Sequence, residues 1–328
     1  MRAYVITESD DLFTCQIGDV KPTPLERSDV LVKVDFSGIN FKDAMVAVAK
    51  SRVRRSNFLV GGVDAAGVVV ESSNPALEIG ARVAVHGGAI GVARDGGFAE
   101  YIYAPDRYAS RLPDSISTRV AMVIGTAGFT AMESVLALED HGLVPEGEVL
   151  VTGATGGVGS HAVAYLAARG YSPVASTGSS DEAPWLLGRG ASRVIGREDI
   201  GDKPGRVLGS ELWDGAIDCV GGETLAHILR TLRYGAAVAA SGLVASADLA
   251  TTVYPFITRS VSLLGIDSVE SSPTTRSRVW HALGEIASTV DFAALVDRVV
   301  GLEELTLAID DVRHGNARGR ILVDPTPG

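Results

Sequence analysis

The chain has 328 residues, and its 40 acidic and 29 basic side chains give a formal net charge of −11. A surface of this charge offers no phosphate-neutralising face, which argues against a nucleic-acid partner. The two cysteines, Cys15 and Cys219, are far apart and in no metal-ligand spacing, which argues against a disulfide framework or a thiolate zinc cluster.

The N-terminal third reads as β-rich. "RAYVIT", "DVLVKVDFSGIN", "GVDAAGVVVESS" and "GGFAEYIYAP" are rich in β-formers and are separated by Gly and Pro. Only residues 40–50 carry a helical pattern there. The N-terminus has no apolar signal core, and no apolar run of membrane-spanning length stands out. We therefore expect a cytoplasmic protein without a membrane partner.

The pattern changes near residue 120. "TRVAMVIGTAGFTAMESVLALEDHG" is a predicted helix, and strands then alternate with helices from "EVLVTGA" to "AAVAASG", with "TLAHILRTLRYG" among the helices. Repeated βα units predict an α/β fold with a parallel, doubly wound sheet. The tail "GRILV" reads as a last strand. We predict one domain from residues 1–121 with 262–328, and a second from residues 122–261.

The stretch "VLVTGATGGVGSHAVAYLAARG" predicts a strand, a glycine turn and a helix. The dinucleotide fingerprint G-x-G-x-x-G falls on Ala154, Gly156 and Gly159, with Ala at its first position. The small residues allow a pyrophosphate to approach the backbone at the helix N-terminus. The predicted cofactor contacts of this turn are Thr155, Gly156, Gly157, Val158 and Gly159.

The end of the next predicted strand bears on the choice of cofactor. An acidic residue there favours NAD, but the segment is the neutral "ASTGSS", and the first acid is Asp181. Thr177, Gly178 and Ser179 would accommodate a 2′-phosphate, so we predict NADP. The alternative is that Ser and Gly only form the turn.

Six segments together resemble a known family. "GINFKDA", "DAAGVVVES", "GGFAEY", "VIGTAGFTAM", "VLVTGATGGVGS" and "GAIDCVGG" occur in the order typical of the medium-chain dehydrogenase/reductase superfamily. They resemble its zinc-free quinone-oxidoreductase branch. "TTVYPFITRSVSLLGIDSV" and the closing "GRILV" are similar to the NADPH-dependent acrylyl-CoA reductases.

The resemblance implies a GroES-like β-rich catalytic domain plus a doubly wound Rossmann domain, usually in a homodimer. It also implies hydride transfer from NADPH to the β-carbon of acrylyl-CoA. Zinc-dependent relatives need Cys and His ligands where this chain has Asn40, Asp43, Val63 and Asp64. We therefore expect no metal.

Asn40 and Asp43 of the "NFKD" motif are the predicted catalytic residues, as groups that orient a carboxamide or a thioester carbonyl. The alternative is that they cap the short helix that follows. The resemblance implies that Phe41, which replaces a common Tyr, packs on the nicotinamide. It also implies that Arg197 holds the 2′-phosphate.

Four further residues are predicted to contact the cofactor by their positions at a helix start or at the ends of late strands. They are Thr130, Leu243, Ile266 and Ser268. Thr126 is a similar candidate near the ribose.

The run "KSRVRRS" places four cations within seven residues of an acidic chain. Arg52, Arg54 and Arg55 are the predicted substrate-binding residues, because arginine pairs with the phosphates of coenzyme A. A solvated loop is the alternative.

These features predict an NADPH-dependent reductase of a short α,β-unsaturated acyl-CoA. The alternatives are a quinone or enal reductase on the same scaffold or a non-catalytic NADP(H)-binding protein.

Overall fold

The computed structural model describes residues 1–10, 12–200 and 207–326. The chain forms two compact units. The first comprises Met1–Ala127, Ser268–Ala287 and Phe292–Gly328, and the second comprises Gly128–Asp267 and Ser288–Asp291. The domain boundaries after residues 121 and 261 stay predictions, and the compact units divide the chain after Ala127 and after Asp267.

The first unit contains two sheets. Its strands are β1 (Arg2–Glu8), β2 (Phe13–Asp19), β3 (Asp29–Gly38), β4 (Phe58–Val60), β5 (Asp64–Glu71), β6 (Arg82–His86), β7 (Tyr101–Pro105) and β8 (Ala109–Arg111). The later segments add β15 (Val296–Val300) and β16 (Arg320–Val323). One sheet has the order β2-β1-β4, and the other has the order β15-β16-β3-β5-β6-β8, with β7 also paired to β3.

Three α-helices lie within this unit, as far as the structure describes it. They are α1 (Phe41–Val46), α7 (Pro273–Ile286) and α8 (Leu305–His314), and α7 is the longest of them. The structure ends α1 at Val46, well before the predicted end at residue 50. The reason is tertiary, because the Arg313 guanidinium donates to the carbonyls of Ala44 (3.4 Å) and Ala47 (3.2 Å) at the end of α1.

The second unit is a parallel six-stranded sheet with helices. Its strands are β9 (Glu148–Val151), β10 (Ser172–Thr177), β11 (Arg193–Gly196), β12 (Trp213–Asp218), β13 (Leu232–Ala240) and β14 (Ser262–Gly265). The order β11-β10-β9-β12-β13-β14 is the doubly wound dinucleotide-binding order. The chain reverses direction across the sheet between β9 and β12, which is where such sheets bind ligands.

The helices of the second unit connect its parallel strands. They are α3 (Gly157–Ala168), α4 (Ala183–Leu187), α5 (Gly222–Thr231) and α6 (Tyr254–Arg259). The sequence predicted that α5 continues to Gly235, and this was wrong. Leu232 pairs with Trp213 as the first residue of β13 and is fully buried, so sheet pairing overrides the helical pattern.

Helix α2 (Thr118–Asp140) runs from the first unit into the second. Within the described residues it is the one helix long and apolar enough to cross a membrane, with a mean hydropathy of 1.6. No apolar run of this length was expected from the sequence. However, 78% of this apolar stretch is buried inside the protein, which is typical of a core helix.

Candidate functional site

A buried cluster of polar side chains lies where β3, β5, α2 and β16 approach one another in the first unit. Its centre is Asp64, the first residue of β5, which has no exposed surface. The Asp64 carboxylate accepts hydrogen bonds from the Asn40 amide (2.7 Å) and from the Thr126 backbone N–H (2.9 Å). It also accepts one from the Thr126 hydroxyl. The carboxylate is therefore fully engaged by groups of the protein.

Arg320, which begins β16, supplies the charge that balances this carboxylate. Its side chain is 2% exposed, and its Nη2 lies 3.3 Å from Asp64 Oδ2. Its Nη1 donates to Asn40 Oδ1 (2.9 Å) and to the Ile39 carbonyl (3.0 Å), and its Nε donates to the Val123 carbonyl (3.2 Å). A single guanidinium thus ties the loop before α1 to helix α2, and this satisfies a charge pair that would otherwise be costly to bury.

Gly125 explains how helix α2 passes this cluster. Its φ of 49° and ψ of −160° interrupt the helix. A Cβ at this position would lie 2.5 Å from Asp64 Oδ2 and 2.6 Å from Arg320 Nη2, so only glycine fits. The interruption also aims the backbone N–H of Thr126 at the Asp64 carboxylate.

Asp43 anchors the start of α1. Its carboxylate oxygens accept the backbone N–H groups of Asn40 (2.8 Å) and Val63 (2.9 Å). Burial, reinforced by the nearby Asp64 charge and opposed by these hydrogen bonds, raises the pKa of Asp43 to about 7. Asp43 is only 2% exposed, and its carboxylate binds the backbone at the start of α1. This geometry favours the capping alternative, in which Asp43 positions the helix.

Asn40 is also buried, and its side chain is divided between two partners. Its amide donates to Asp64 and its oxygen accepts from Arg320. The neighbouring Phe41 is 39% exposed, so its ring is available to a ligand. Direct contact of Asn40 with a substrate stays a prediction.

Asp64 and Arg320 were not among the predicted site residues, although the sequence around each of them indicates a buried charge. Asp64 is an acid at the head of an apolar strand, "VDAAGVVV", and Arg320 is a cation directly before the apolar strand "ILV". Charged residues in such positions are rarely fully buried unless they are paired. A search for complementary buried charges would have found the pair.

The glycine turn of the second unit lies between β9 and α3, as predicted. Gly153 has a φ of 59°, and Gly156 caps α3 in an extended conformation. A Cβ on Gly159 would lie 2.8 Å from the Ala154 Cα, so glycine allows the helix to pack on the turn. The turn therefore fits a pyrophosphate, since the first N–H groups of an α-helix lack intrahelical acceptors and attract anions.

A second loop, after β12, is joined to this turn by Asp218. The carboxylate of this fully buried residue accepts from the Thr152 hydroxyl (2.7 Å) and from the backbone N–H groups of Gly221 (2.8 Å) and Val220 (3.3 Å). Thr152 in turn accepts from the Cys219 backbone N–H (3.0 Å). The bonds hold together two loops that follow neighbouring strands at the ligand-binding edge of the sheet.

The end of β10 lies beside Arg197, as the cofactor prediction requires. A Cβ on Gly178 would meet Arg197 Nη2 at 2.6 Å, so the guanidinium packs directly on this glycine. Thr177 is buried and accepts the Ser179 backbone N–H (3.0 Å), whereas Gly178, Ser179 and Arg197 are exposed. The exposed cation and hydroxyl can receive a phosphate.

The remaining predicted cofactor residues are distributed over both units. Thr130 is buried in α2, Leu243 is exposed in the segment after β13, and the Ile266 backbone N–H donates to the Ala240 carbonyl (3.1 Å). Ser268 is buried and belongs to the first unit. Their contacts with a cofactor stay predictions.

The prediction that Arg54 binds substrate was wrong. Its side chain is 2% exposed and pairs with Glu8. It also donates to the carbonyls of Val46 (2.5 Å) and Val48 (3.0 Å). Burial and these bonds keep the guanidinium from any phosphate, whereas Arg52 and Arg55 are exposed.

Across residues 1–10, 12–200 and 207–326, no three His, Cys, Asp or Glu side chains are grouped in a way that could hold a metal ion. At the place where the zinc-dependent enzymes need Cys and His ligands, this chain has the Asn40–Asp64–Arg320 cluster. The Asp64 carboxylate is bound there by the Arg320 guanidinium and by three neutral donor groups of Asn40 and Thr126.

Two family models match the chain. The model for the alcohol dehydrogenase GroES-like domain matches residues 26–114, and the model for zinc-binding dehydrogenase matches residues 157–285.

Individual proteins are similar over nearly the whole length. Acrylyl-CoA reductase AcuI from Ruegeria pomeroyi is 41% identical over 92% of each chain. YhfP from Bacillus subtilis, whose name proposes a quinone oxidoreductase, is 44% identical over 98% of each chain. Its crystal structure with NAD bound superposes with a TM-score of 0.95 over 99% of each chain. The oxidoreductase yhdH from Salmonella enterica, in complex with NADP, has a TM-score of 0.94 at 37% identity, over 99% of this chain and 100% of that one.

Proposed function

Because the chain belongs to the zinc-free quinone-oxidoreductase branch of the medium-chain dehydrogenase/reductase superfamily, we propose that it is a reductase of short α,β-unsaturated acyl-CoA thioesters. The reaction adds a hydride to the β-carbon and a proton to the α-carbon, converting acrylyl-CoA to propanoyl-CoA. The protein is an oxidoreductase, and NADP(H) is its cofactor. Its cytoplasmic location and a homodimeric state stay predictions.

The observation that carries the proposal is the chemistry of the Asp64 cluster. A carboxylate that is bound to Arg320, Asn40 and Thr126 is no longer a free metal ligand, and within the described residues no group of three or more His, Cys, Asp or Glu side chains could hold a metal ion. An alcohol substrate would need a Lewis acid to stabilise the alkoxide. A conjugated thioester needs none, because its own carbonyl delocalises the developing charge.

The second unit contains the residues that fit the cofactor. The glycine turn from Thr155 to Gly159 would hold the pyrophosphate at the start of α3. Arg197, Ser179 and the Gly178 backbone would hold the 2′-phosphate, since arginine binds phosphate with charge-assisted, bidentate bonds. When bound, NADPH supplies the hydride.

In the first unit, buried residues hold the backbone directly before helix α1, which begins at Phe41. Arg320 and Asp43 hold the backbone at Ile39 and Asn40, so the Phe41 ring is presented from a rigid support. Such pre-organisation lets binding energy be used to orient the reacting atoms.

A quinone or enal reductase is the second candidate. The similarity to YhfP favours it, since that relative is 44% identical and its name proposes a quinone oxidoreductase. The same cluster would serve either reaction, because both accept a hydride on an electron-poor conjugated carbon.

Steady-state NADPH oxidation with acrylyl-CoA, crotonyl-CoA and a small quinone, measured in parallel, tests the proposal. We expect kcat/KM to be highest for acrylyl-CoA and lower for the bulkier crotonyl-CoA. A higher kcat/KM for the quinone, with no turnover of either thioester, would replace the proposal with the second candidate.

A further inference from the structure

A pocket of about 370 Å³ lies in the first unit between helix α1, the loop that follows it and α8. Its walls are mainly apolar, and they begin at Phe41, the residue directly after Asn40. The lining residues used below are Phe41, Val48, Lys50, Arg52 and Arg313. The volume lies near the lower end of the range for small-molecule sites, about 300–1,000 Å³, so the pocket suits one segment of a larger ligand.

The charges at this pocket are all of one sign. Lys50, Arg52 and Arg313 line it, and no acidic residue does, although the chain as a whole has a net charge of −11. Arg313 is used by the fold, since it bonds to Asp310 (3.2 Å) and to the end of α1. Lys50 and Arg52 are exposed, and their side chains have no ion pair within the described parts of the chain.

The loop that bears these two cations is held in place by bonds on both sides. Glu8, at the end of β1, accepts the Lys50 backbone N–H (2.6 Å) and the Arg54 guanidinium. Ser51 donates to the Met45 carbonyl (2.7 Å) and accepts the backbone N–H groups of Val53 and Arg54. Arg54, wrongly predicted to bind substrate, thus holds the loop through its buried guanidinium, which pairs with Glu8. A rim fixed before binding loses less entropy when a ligand arrives.

Resting on the proposed function, we infer that this pocket binds the coenzyme A part of the substrate. The pantetheine arm lies along the apolar wall from Phe41 towards Val48, and the phosphates pair with Arg52 and Lys50. The apolar wall suits the arm, and the cationic rim suits a polyanion. A very small acyl group offers little surface of its own, so most affinity has to come from this remote part of the molecule.

The test uses full-length Arg52→Gln and Lys50→Gln variants, with Arg27→Gln as a matched control. Arg27 is an exposed arginine of the same unit that does not line the pocket. Each pocket variant should raise KM for acrylyl-CoA roughly tenfold, because a charge-assisted bond to phosphate is lost. KM for NADPH and for a small uncharged enone should stay within twofold of wild type, as should every parameter of Arg27→Gln.

Val48→Trp tests the apolar wall independently, since the larger side chain occupies the pocket without changing charge. We expect KM for acrylyl-CoA to rise in this variant while Tm and KM for NADPH are retained. Arg55 belongs to the same basic run but does not line the pocket. Arg55→Gln should therefore raise KM for acrylyl-CoA less than Arg52→Gln does.

Calorimetric titration with free coenzyme A distinguishes failure of this inference from failure of the proposed function. If no thioester is reduced but coenzyme A binds and Arg52→Gln weakens it roughly tenfold, the pocket stands and the proposed function falls. If acrylyl-CoA is reduced but Arg52→Gln behaves like Arg27→Gln, the inference is overturned and the proposed function stands. Equal losses in all the arginine variants would also overturn it, since they indicate only a general effect of charge.

Discussion

Asp64 in the first unit and Asp218 in the second are both carboxylates without exposed surface, but they are stabilised differently. Asp64 is paired with the buried guanidinium of Arg320 and also accepts neutral hydrogen bonds. Asp218 is held by neutral donors, namely the Thr152 hydroxyl and the backbone N–H groups of Val220 and Gly221. Burial raises the pKa of Asp218, and these bonds only partly oppose the rise.

This difference indicates that the two carboxylates have different structural roles. An ion pair of two buried charges joins distant segments, here β5 and β16. Removing one of the charges strongly destabilises the protein, because the other charge is left buried without a partner. A carboxylate bound to local N–H groups shapes one pair of loops, and its charge is less strictly required. The first arrangement stabilises the first unit, and the second shapes the edge of the sheet where the cofactor is expected.

Removing Arg320 should have the largest effect. Arg320→Met leaves Asp64 buried without its charge partner, and we expect the free energy of unfolding to fall by about 3–5 kcal/mol. Urea denaturation measures the change. The double variant Arg320→Met with Asp64→Asn is the control, since it removes both charges and should recover part of the loss. If the double variant lost more unfolding free energy than the two single variants together, the result would contradict the pairing of Arg320 with Asp64.

Asp218→Asn should cost less, about 1–3 kcal/mol of unfolding free energy, because one acceptor is lost and no charge is stranded. The loops at the cofactor edge should loosen, so the Kd for NADPH should rise while KM for the thioester changes little. Fluorescence titration and steady-state kinetics measure the two effects. Thr152→Val is the matched variant, and it should reproduce the weaker NADPH binding. Unchanged NADPH affinity in both variants would show that the bonds serve stability alone.

The pKa of Asp43, raised to about 7, predicts a pH dependence of stability. Its unfolded value is near 3.9, so the folded state holds the proton more tightly. The resulting stabilisation is complete at low pH and is lost as the pH rises through 7. The free energy of unfolding should therefore fall by about 1.4 kcal/mol between pH 6 and pH 8. Asp43→Asn should flatten the profile over this range, and an unchanged slope would assign it to another group.

Arg197 contrasts with Arg320. Its guanidinium packs against Gly178 and is exposed to solvent, whereas that of Arg320 is buried in an ion pair. Its removal should leave stability unchanged and affect only ligand binding. Arg197→Ser should raise KM for NADPH roughly fivefold and leave KM for NADH unaltered. Ser179→Asp, which places a carboxylate at the same edge, should shift the preference towards NADH. An equal loss for both cofactors in Arg197→Ser would remove the 2′-phosphate assignment.

The nucleotide-binding unit could be predicted from local sequence because its signals are local. The turn requires glycine at Gly153, whose φ is 59°, and at Gly159, where a Cβ would lie 2.8 Å from the Ala154 Cα. Arg197 was selected by the family resemblance, and the structure places it directly after β11, the strand paired in parallel with β10, so that it lies beside Gly178.

The cluster in the first unit could be predicted only in part, because its partners are far apart in the chain. Asp64 and Arg320 are separated by 256 residues. A single arginine also gives no local sign of whether it faces solvent or a buried acid, and Arg54 illustrates this. It is one of four cations in a short run, but it is the one that turns inward to Glu8.

The sequence by itself determined the alternation of strands and helices, the glycine turn and the family, since these depend on short-range periodicity and on the backbone freedom of single residues. Only the tertiary structure decided which charges are buried and which are free. That choice depends on the surfaces that the fold brings against each side chain, and a buried charge is stable only where a distant segment supplies its partner.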